Sequence, residues 1–184
     1  MKHTFLPFLF FFVISFGFMA CSVDTDEIKS MYEKLEMPND MGRDVTLVYS
    51  EHGHVKARLT APVLTMYEGE DPHMEFTEGM KVLFFNEHQD IESELTANYG
   101  IRYEQKEKMI ARNDVVVINK DGDRLNTEEL IWRQSEGKIF SDKFVKITTA
   151  DEILYGDGLE ANEDFSEYTI LNIKGIIKLE DETL

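Results

Sequence analysis

Few residues of this chain could do chemistry, and the first is its one cysteine. Cys21 stands directly after Ala20, where an apolar run over residues 5–20 ends behind a short basic start at Lys2. That order is the pattern of a secretory signal. Processing after the small residue would leave the thiol at a new N-terminus, ready for acylation. Each acyl methylene buried in lipid contributes about 0.8 kcal/mol, and two or more chains give stable anchoring, so the chemistry expected of Cys21 is membrane attachment. An incidental cysteine is one competing reading, disfavoured because a lone thiol in an oxidising compartment is a liability. An uncleaved membrane helix is another, but the run of 16 residues falls short of the roughly 20 that a span needs. The division expected is a signal peptide at 1–20, a lipid-anchored, partly helical tether at 21–43 and a folded domain at 44–184.

The remaining candidates are weaker. Glu51, His52 and His54 cluster around Gly53 in what reads as a hairpin turn, while His73 and His88 have no motif company; a zinc site needs three or four convergent ligands. Asp121-Gly122-Asp123 imitates a calcium loop without its downstream bidentate acid, and Asp-Gly is what a tight turn wants anyway. Nucleophile elbows and phosphate-cradling glycine loops are missing from the sequence. No metal, no cofactor and no enzyme activity are therefore expected. Acids outnumber Lys and Arg by 36 to 19, a net charge of −17 that becomes −18 when Lys2 leaves with the signal. Such a surface repels phosphate backbones, and its scattered bases form no groove for a single strand, which excludes nucleic acid as a partner.

Whatever function the chain has must be held by its folded part. In the tether, Ile28, Met31 and Leu35 recur at helical spacing behind a capping box of Asp24 and Glu27, and Pro38 ends the pattern. From Val45 the period becomes two: Val45/Leu47/Tyr49, Val55/Ala57/Leu59, Met80/Val82/Phe84, Leu95/Ala97, Val115/Val117, Leu130/Trp132 and Tyr168/Ile170. Turn clusters punctuate these runs, which predicts an all-β sandwich, jelly roll or barrel. Residues 101–118 also superimpose on 130–147 at an offset of 29, pairing Tyr103 with Trp132 and Ile110 with Ile139. Comparable strand openings stand at Leu59-Thr60-Ala61, Leu95-Thr96-Ala97, Leu125-Asn126-Thr127 and Gly158-Leu159-Glu160-Ala161. A strand–turn–strand unit cannot bury its apolar face alone, so the units must stack around a shared interior.

The candidates for that interior are Val55, Ala57, Leu59, Val82, Phe84, Leu95, Ile101, Tyr103, Val115, Val117, Trp132, Ile139 and Phe140. Period two identifies a face without telling a packed core from a lipid-filled groove. The C-terminal Ile173, Ile176, Ile177 and Leu179 make an apolar last strand, which reads either as a docking edge for another sheet or as the protected end of a closed fold.

Leu59-Thr60-Ala61-Pro62, Glu75-Phe76-Thr77-Glu78-Gly79-Met80, Leu125-Asn126-Thr127-Glu128-Glu129-Leu130-Ile131-Trp132 and the closing Tyr168-Thr169-Ile170-Leu171-Asn172-Ile173-Lys174-Gly175 resemble, in order and spacing, the LptC family of periplasmic lipopolysaccharide-export proteins. The likeness extends to the related jelly rolls of LptA and the N-terminal domain of LptD. It implies a twisted β-jelly roll that receives lipopolysaccharide from an inner-membrane ABC transporter and hands it to a periplasmic bridge protein of the LptA type. The acyl chains would lie in an apolar groove, with the protein held on a membrane, and no chemistry would take place. Many family members keep an N-terminal membrane helix where Cys21 points to a lipid. The alternative is a lipid-anchored carbohydrate-binding or structural β-sandwich, in which Trp132, Tyr99, Tyr103 and Tyr155 would stack on sugars.

Overall fold

The computed structural model describes residues 38–179; Cys21, the signal and most of the tether lie outside the described residues. The period-two runs form β1 (Asp40–Glu51), β2 (His54–Tyr67), β3 (His73–Phe76), β4 (Met80–Phe85), β5 (Ile91–Ala97), β6 (Tyr99–Tyr103), β7 (Lys108–Asn119), β8 (Arg124–Arg133), β9 (Lys138–Thr148), β10 (Glu152–Asn162), β11 (Tyr168–Ile170) and β12 (Ile173–Lys178). All belong to one antiparallel sheet of twelve strands. β1 starts four residues ahead of the expected boundary, because Asp40, Met41, Gly42 and Arg43 pair with Met66, Thr65, Leu64 and Val63.

Pairing reduces the twelve strands to nine up-and-down runs. Both β3 and β4 pair with β2, β5 and β6 pair with β4 and β3 in turn, and β11 and β12 both pair with β10. Near their middles most of the runs are interrupted. Asp44, Asn113, Asp114 and Asn172 adopt positive φ (49°, 64°, 53° and 46°), as do Gly79 and Gly158. The register slips between Arg112 and Val115, Thr127 and Ile131, and Asp157 and Leu159. Short polar residues and glycine tolerate this backbone region best. A bulge bends its strand, and interruptions aligned across neighbouring runs crease the whole sheet.

Folding at the crease turns one sheet into two facing layers, a β-jelly roll whose layers are the halves of the same strands. Tyr49 from the first layer meets Trp132 from the second edge-on at 5.5 Å, and Phe84 meets Trp132 at 5.3 Å. Opposite the crease, where the hairpin turns lie, the layers are held together by side chains alone.

The repeat is present with a period of 30 at its turn, one residue longer than the sequence alignment. Glu107 and Gly137 occupy equivalent left-handed corners (φ 46° and 60°), and Val115 and Val145 both sit opposite Thr127. A one-residue slip in a strand exchanges its faces, so an offset of 29 pairs inward with outward residues. Leu59, Leu95 and Leu125 do stand at one level before the crease. The fourth opening does not: Leu159 lies beyond the crease, and Leu154 takes that level on β10.

Gly156 marks where the last run folds tightest. A Cβ there would lie 2.7 Å from the Leu171 carbonyl oxygen and would collide with Ile170 Cγ2. Gly156→Ala should cost about 1–3 kcal/mol through overpacking, read as a lowered urea midpoint. An unchanged midpoint would show that the last run does not fold against β10 in this way.

An apolar trough as the candidate functional site

Inward positions line up across the sheet in register. In the first layer one ladder takes a residue from every run: Leu47, Leu59, Val82, Leu95, Val117, Leu125, Ile147, Leu154 and Ile176. Its centre is buried, with Val117 and Ile147 each 2% exposed, whereas Ile176 at the end is 53% exposed. The second layer answers with Met66, Met74, Arg102, Met109, Trp132, Ile139, Ala161 and Tyr168. Two greasy walls thus face each other along the molecule.

The space between them is filled. One cavity of about 20 Å³ lies among Val82, Phe84, Leu95, Met109, Trp132 and Ile139, and another of about 20 Å³ among Val117, Leu125, Ile147, Leu159, Phe165 and Tyr168. Each has room for a water and none for an acyl chain. A wider recess of about 540 Å³ opens at the crease beside Asp44, Val45, Ala61, Pro62, Gly79 and Met80. The lip is closed by rings. Phe165 is held at φ 59° in the 162–167 turn, 4% exposed, and packs 6.1 Å from Phe84. The turn is tied locally: the Asn162 amide donates to Ser166 Oγ at 2.7 Å, and the Glu167 N–H donates to Asn162 Oδ1 at 3.0 Å.

Nine of the thirteen interior candidates face this space: Ala57, Leu59, Val82, Phe84, Leu95, Val115, Val117, Trp132 and Ile139. Val55, Ile101, Tyr103 and Phe140 do not, and this corrects the sequence reading: the register slips at Tyr49/Ser50, and Val55 lies opposite the exposed Ser50. Adjacent residues of a strand point to opposite faces, so Phe140 is turned outward by Ile139 and lies beneath the Arg133 guanidinium at 4.6 Å. Tyr103 sits on the outer face with His73 at 5.6 Å and the Lys106 ammonium at 4.6 Å. Ile101, across from Glu75 and Ile110 on that face, is still only 6% exposed. Met66, Met74, Met109 and Ile147 escaped the sequence reading, and Leu47 entered it only as part of a half-buried strand, because only the register shows that they continue a ladder.

The four aromatics of the carbohydrate reading are not brought together. Trp132 is inside, and the Tyr99 hydroxyl donates to Glu75 Oε1 at 2.6 Å on the outer face. Tyr155 stacks on Phe144, which is 55% exposed, outside the first layer. At the C-terminal edge β12 pairs, among the described residues, only with β10, and Ile173, Ile176, Ile177 and Leu179 are 57%, 53%, 51% and 44% exposed. Ile173 and Ile176 lie opposite Gly156 and Leu154 on the inward face, so the trough runs out to this free edge. At the other end β1 pairs, among the described residues, only with β2.

A family model described as lipopolysaccharide-assembly, LptC-related, matches residues 18–178. No curated protein matches the chain.

Electrostatics at the lip give one further handle. Burial raises the Glu163 carboxyl above its ordinary 4.5; Lys56 pulls it back, Glu51 and Asp164 push it up, and the Trp132 indole N–H, near but outside hydrogen-bond geometry, opposes the rise. A carboxyl whose folded value is raised destabilises the fold when ionised. This penalty is present above the folded value and fades as pH falls toward 4.5. Glu163→Gln should therefore be more stable than the parent in urea at pH 8 and indistinguishable from it near pH 4. An equal difference at both pH values would refute the burial account.

Proposed function

The chain belongs to the LptC family, whose role is in lipopolysaccharide export, and from that premise we propose that it receives lipopolysaccharide from an inner-membrane ABC transporter and passes it to a periplasmic bridge protein of the LptA type. It acts without enzymatic chemistry, from the periplasmic face of the inner membrane, held there by a lipid on Cys21. The observation that carries this reading is the pair of facing inward ladders, the first of which runs through all nine runs from β1 to β12.

Acyl chains enter by parting the layers. The walls are joined by backbone pairing along the crease and by ring contacts at the lip. Each such contact is worth about 0.5–1.5 kcal/mol beyond area burial, while every methylene taken from water returns about 0.8 kcal/mol. A few methylenes therefore offset the loss of Tyr49–Trp132 and Phe84–Phe165. The filled interior is then the resting state of a wall that opens on loading, and the side chains that fill it alone are the ones the lipid displaces.

The free β12 edge is the exit. A strand added beside it would extend the sheet by β-augmentation and would place its own inward residue next to Ile176, carrying the ladder across the junction without a polar gap.

Two measurements test these steps. Photo-crosslinking residues at Leu47, Leu125 and Ile147 should capture lipopolysaccharide in cells, whereas the same probe at the outward Val48, Ile118 and Phe144 should not; capture at outward positions only would overturn the trough. Ile173→Asp with Ile176→Asp should weaken capture of an LptA-type bridge protein at least tenfold while leaving the melting temperature within a few degrees, since both side chains are more than half exposed. Undiminished capture would remove β12 as the docking edge.

A further inference from the structure

Among the residues of the two ladders one is charged. Arg102 occupies the third rung of the second wall, between Met74 and Met109. Its inward direction is fixed by its neighbours: Gly100, two residues earlier on the same face, packs against Met80 and Phe76 so closely that a Cβ would collide with the Met80 sulfur. Arg102 is half-buried, and its Nε is fully enclosed with no hydrogen-bond partner. The ion pairs of the described residues are made by other bases, Lys106 with Asp71 and Arg112 with Glu129 among them. Its ladder neighbour Met109 pairs with Trp132, which meets Tyr49 at 5.5 Å, so the guanidinium stands toward the lip of the trough, where Glu51, Glu107 and Glu163 also act on Tyr49.

We propose that Arg102 is the anion anchor of the trough, binding a phosphate of an amphiphile whose acyl chains lie along the apolar rungs. This rests on the carriage reading above and adds to it a residue, a ligand group and an orientation. A guanidinium carries a planar fork of donors that fits phosphate two bonds at a time, and an enclosed donor without a partner is an unfavourable arrangement that a bound oxyanion completes. The acids around the lip disfavour loose anions, so only a phosphate held in place by its own buried tails reaches the guanidinium. Headgroup at the lip and chains toward the crease is the arrangement that results.

The test uses fluorescent hexa-acyl lipid A with its phosphates intact and the same lipid chemically dephosphorylated, titrated into the acylated chain in detergent. The parent protein should prefer the phosphorylated probe about tenfold or more. Arg102→Met, which matches the flanking methionines and should fold at least as stably, should erase that preference by bringing affinity for the phosphorylated probe down to that for the dephosphorylated one. Arg102→Lys should retain part of it. If Arg102→Met keeps the preference, or weakens both probes equally, the anchor is wrong while carriage stands. If the parent binds neither probe, carriage itself fails and the anchor with it.

Discussion

The structure depends on one constraint: a strand can show an apolar face to only one side, and here the runs cross a crease so that their two halves show that face to each other. The aligned interruptions at Asp44, Gly79, Asn113-Asp114, Gly158 and Asn172 create the second layer, and without them the ladders would form one flat greasy surface open to water. Because the bend is made by the backbone, the two walls share continuous hydrogen-bonded strands along one side and only side-chain contacts along the other. Stiffness and freedom are thereby divided between the two margins of one sheet.

On the carriage reading, that division is what lets a full core admit a guest. A closed barrel with the same residues would have no side along which to yield. A sandwich of two independent sheets would have no side that must hold. Methionine contributes as well: Met66, Met74, Met80 and Met109 line the second wall and its base, and their unbranched, polarizable side chains repack at little cost. The rigid aromatics are concentrated toward the lip, where Tyr49, Phe84, Trp132 and Phe165 meet.

Much of the fold was legible because period two survives wherever one face is buried. Val82, Leu95 and Val117 could be assigned to an interior from spacing alone, and turn residues such as Asp121-Gly122 marked the corners. The crease was not legible. A bulge leaves two neighbouring residues in the sequence that count as one in the sheet, and residue likeness alone did not reveal it; the period of 30 holds on both sides of Asn113-Asp114, from Glu107/Gly137 to Val115/Val145, where likeness of side chains favoured 29. Ile139 and Phe140 show the same limit on a smaller scale, since both are apolar and only pairing decides which turns inward. Arg102 lay beyond composition-based reading altogether, because a charged residue is assigned to solvent unless its cross-strand neighbours are known to be Met74 and Met109.

Nine runs laid side by side set a length. Neighbouring strands stand about 4.8 Å apart, so the ladder from Leu47 to Ile176 extends about 40 Å, somewhat more than the roughly 30 Å hydrocarbon thickness of a bilayer. One trough is therefore about as long as a membrane is thick. On the carriage reading, an aqueous gap wider than that calls for several such segments in series, joined at the margins that β1 and β12 leave unpaired among the described residues.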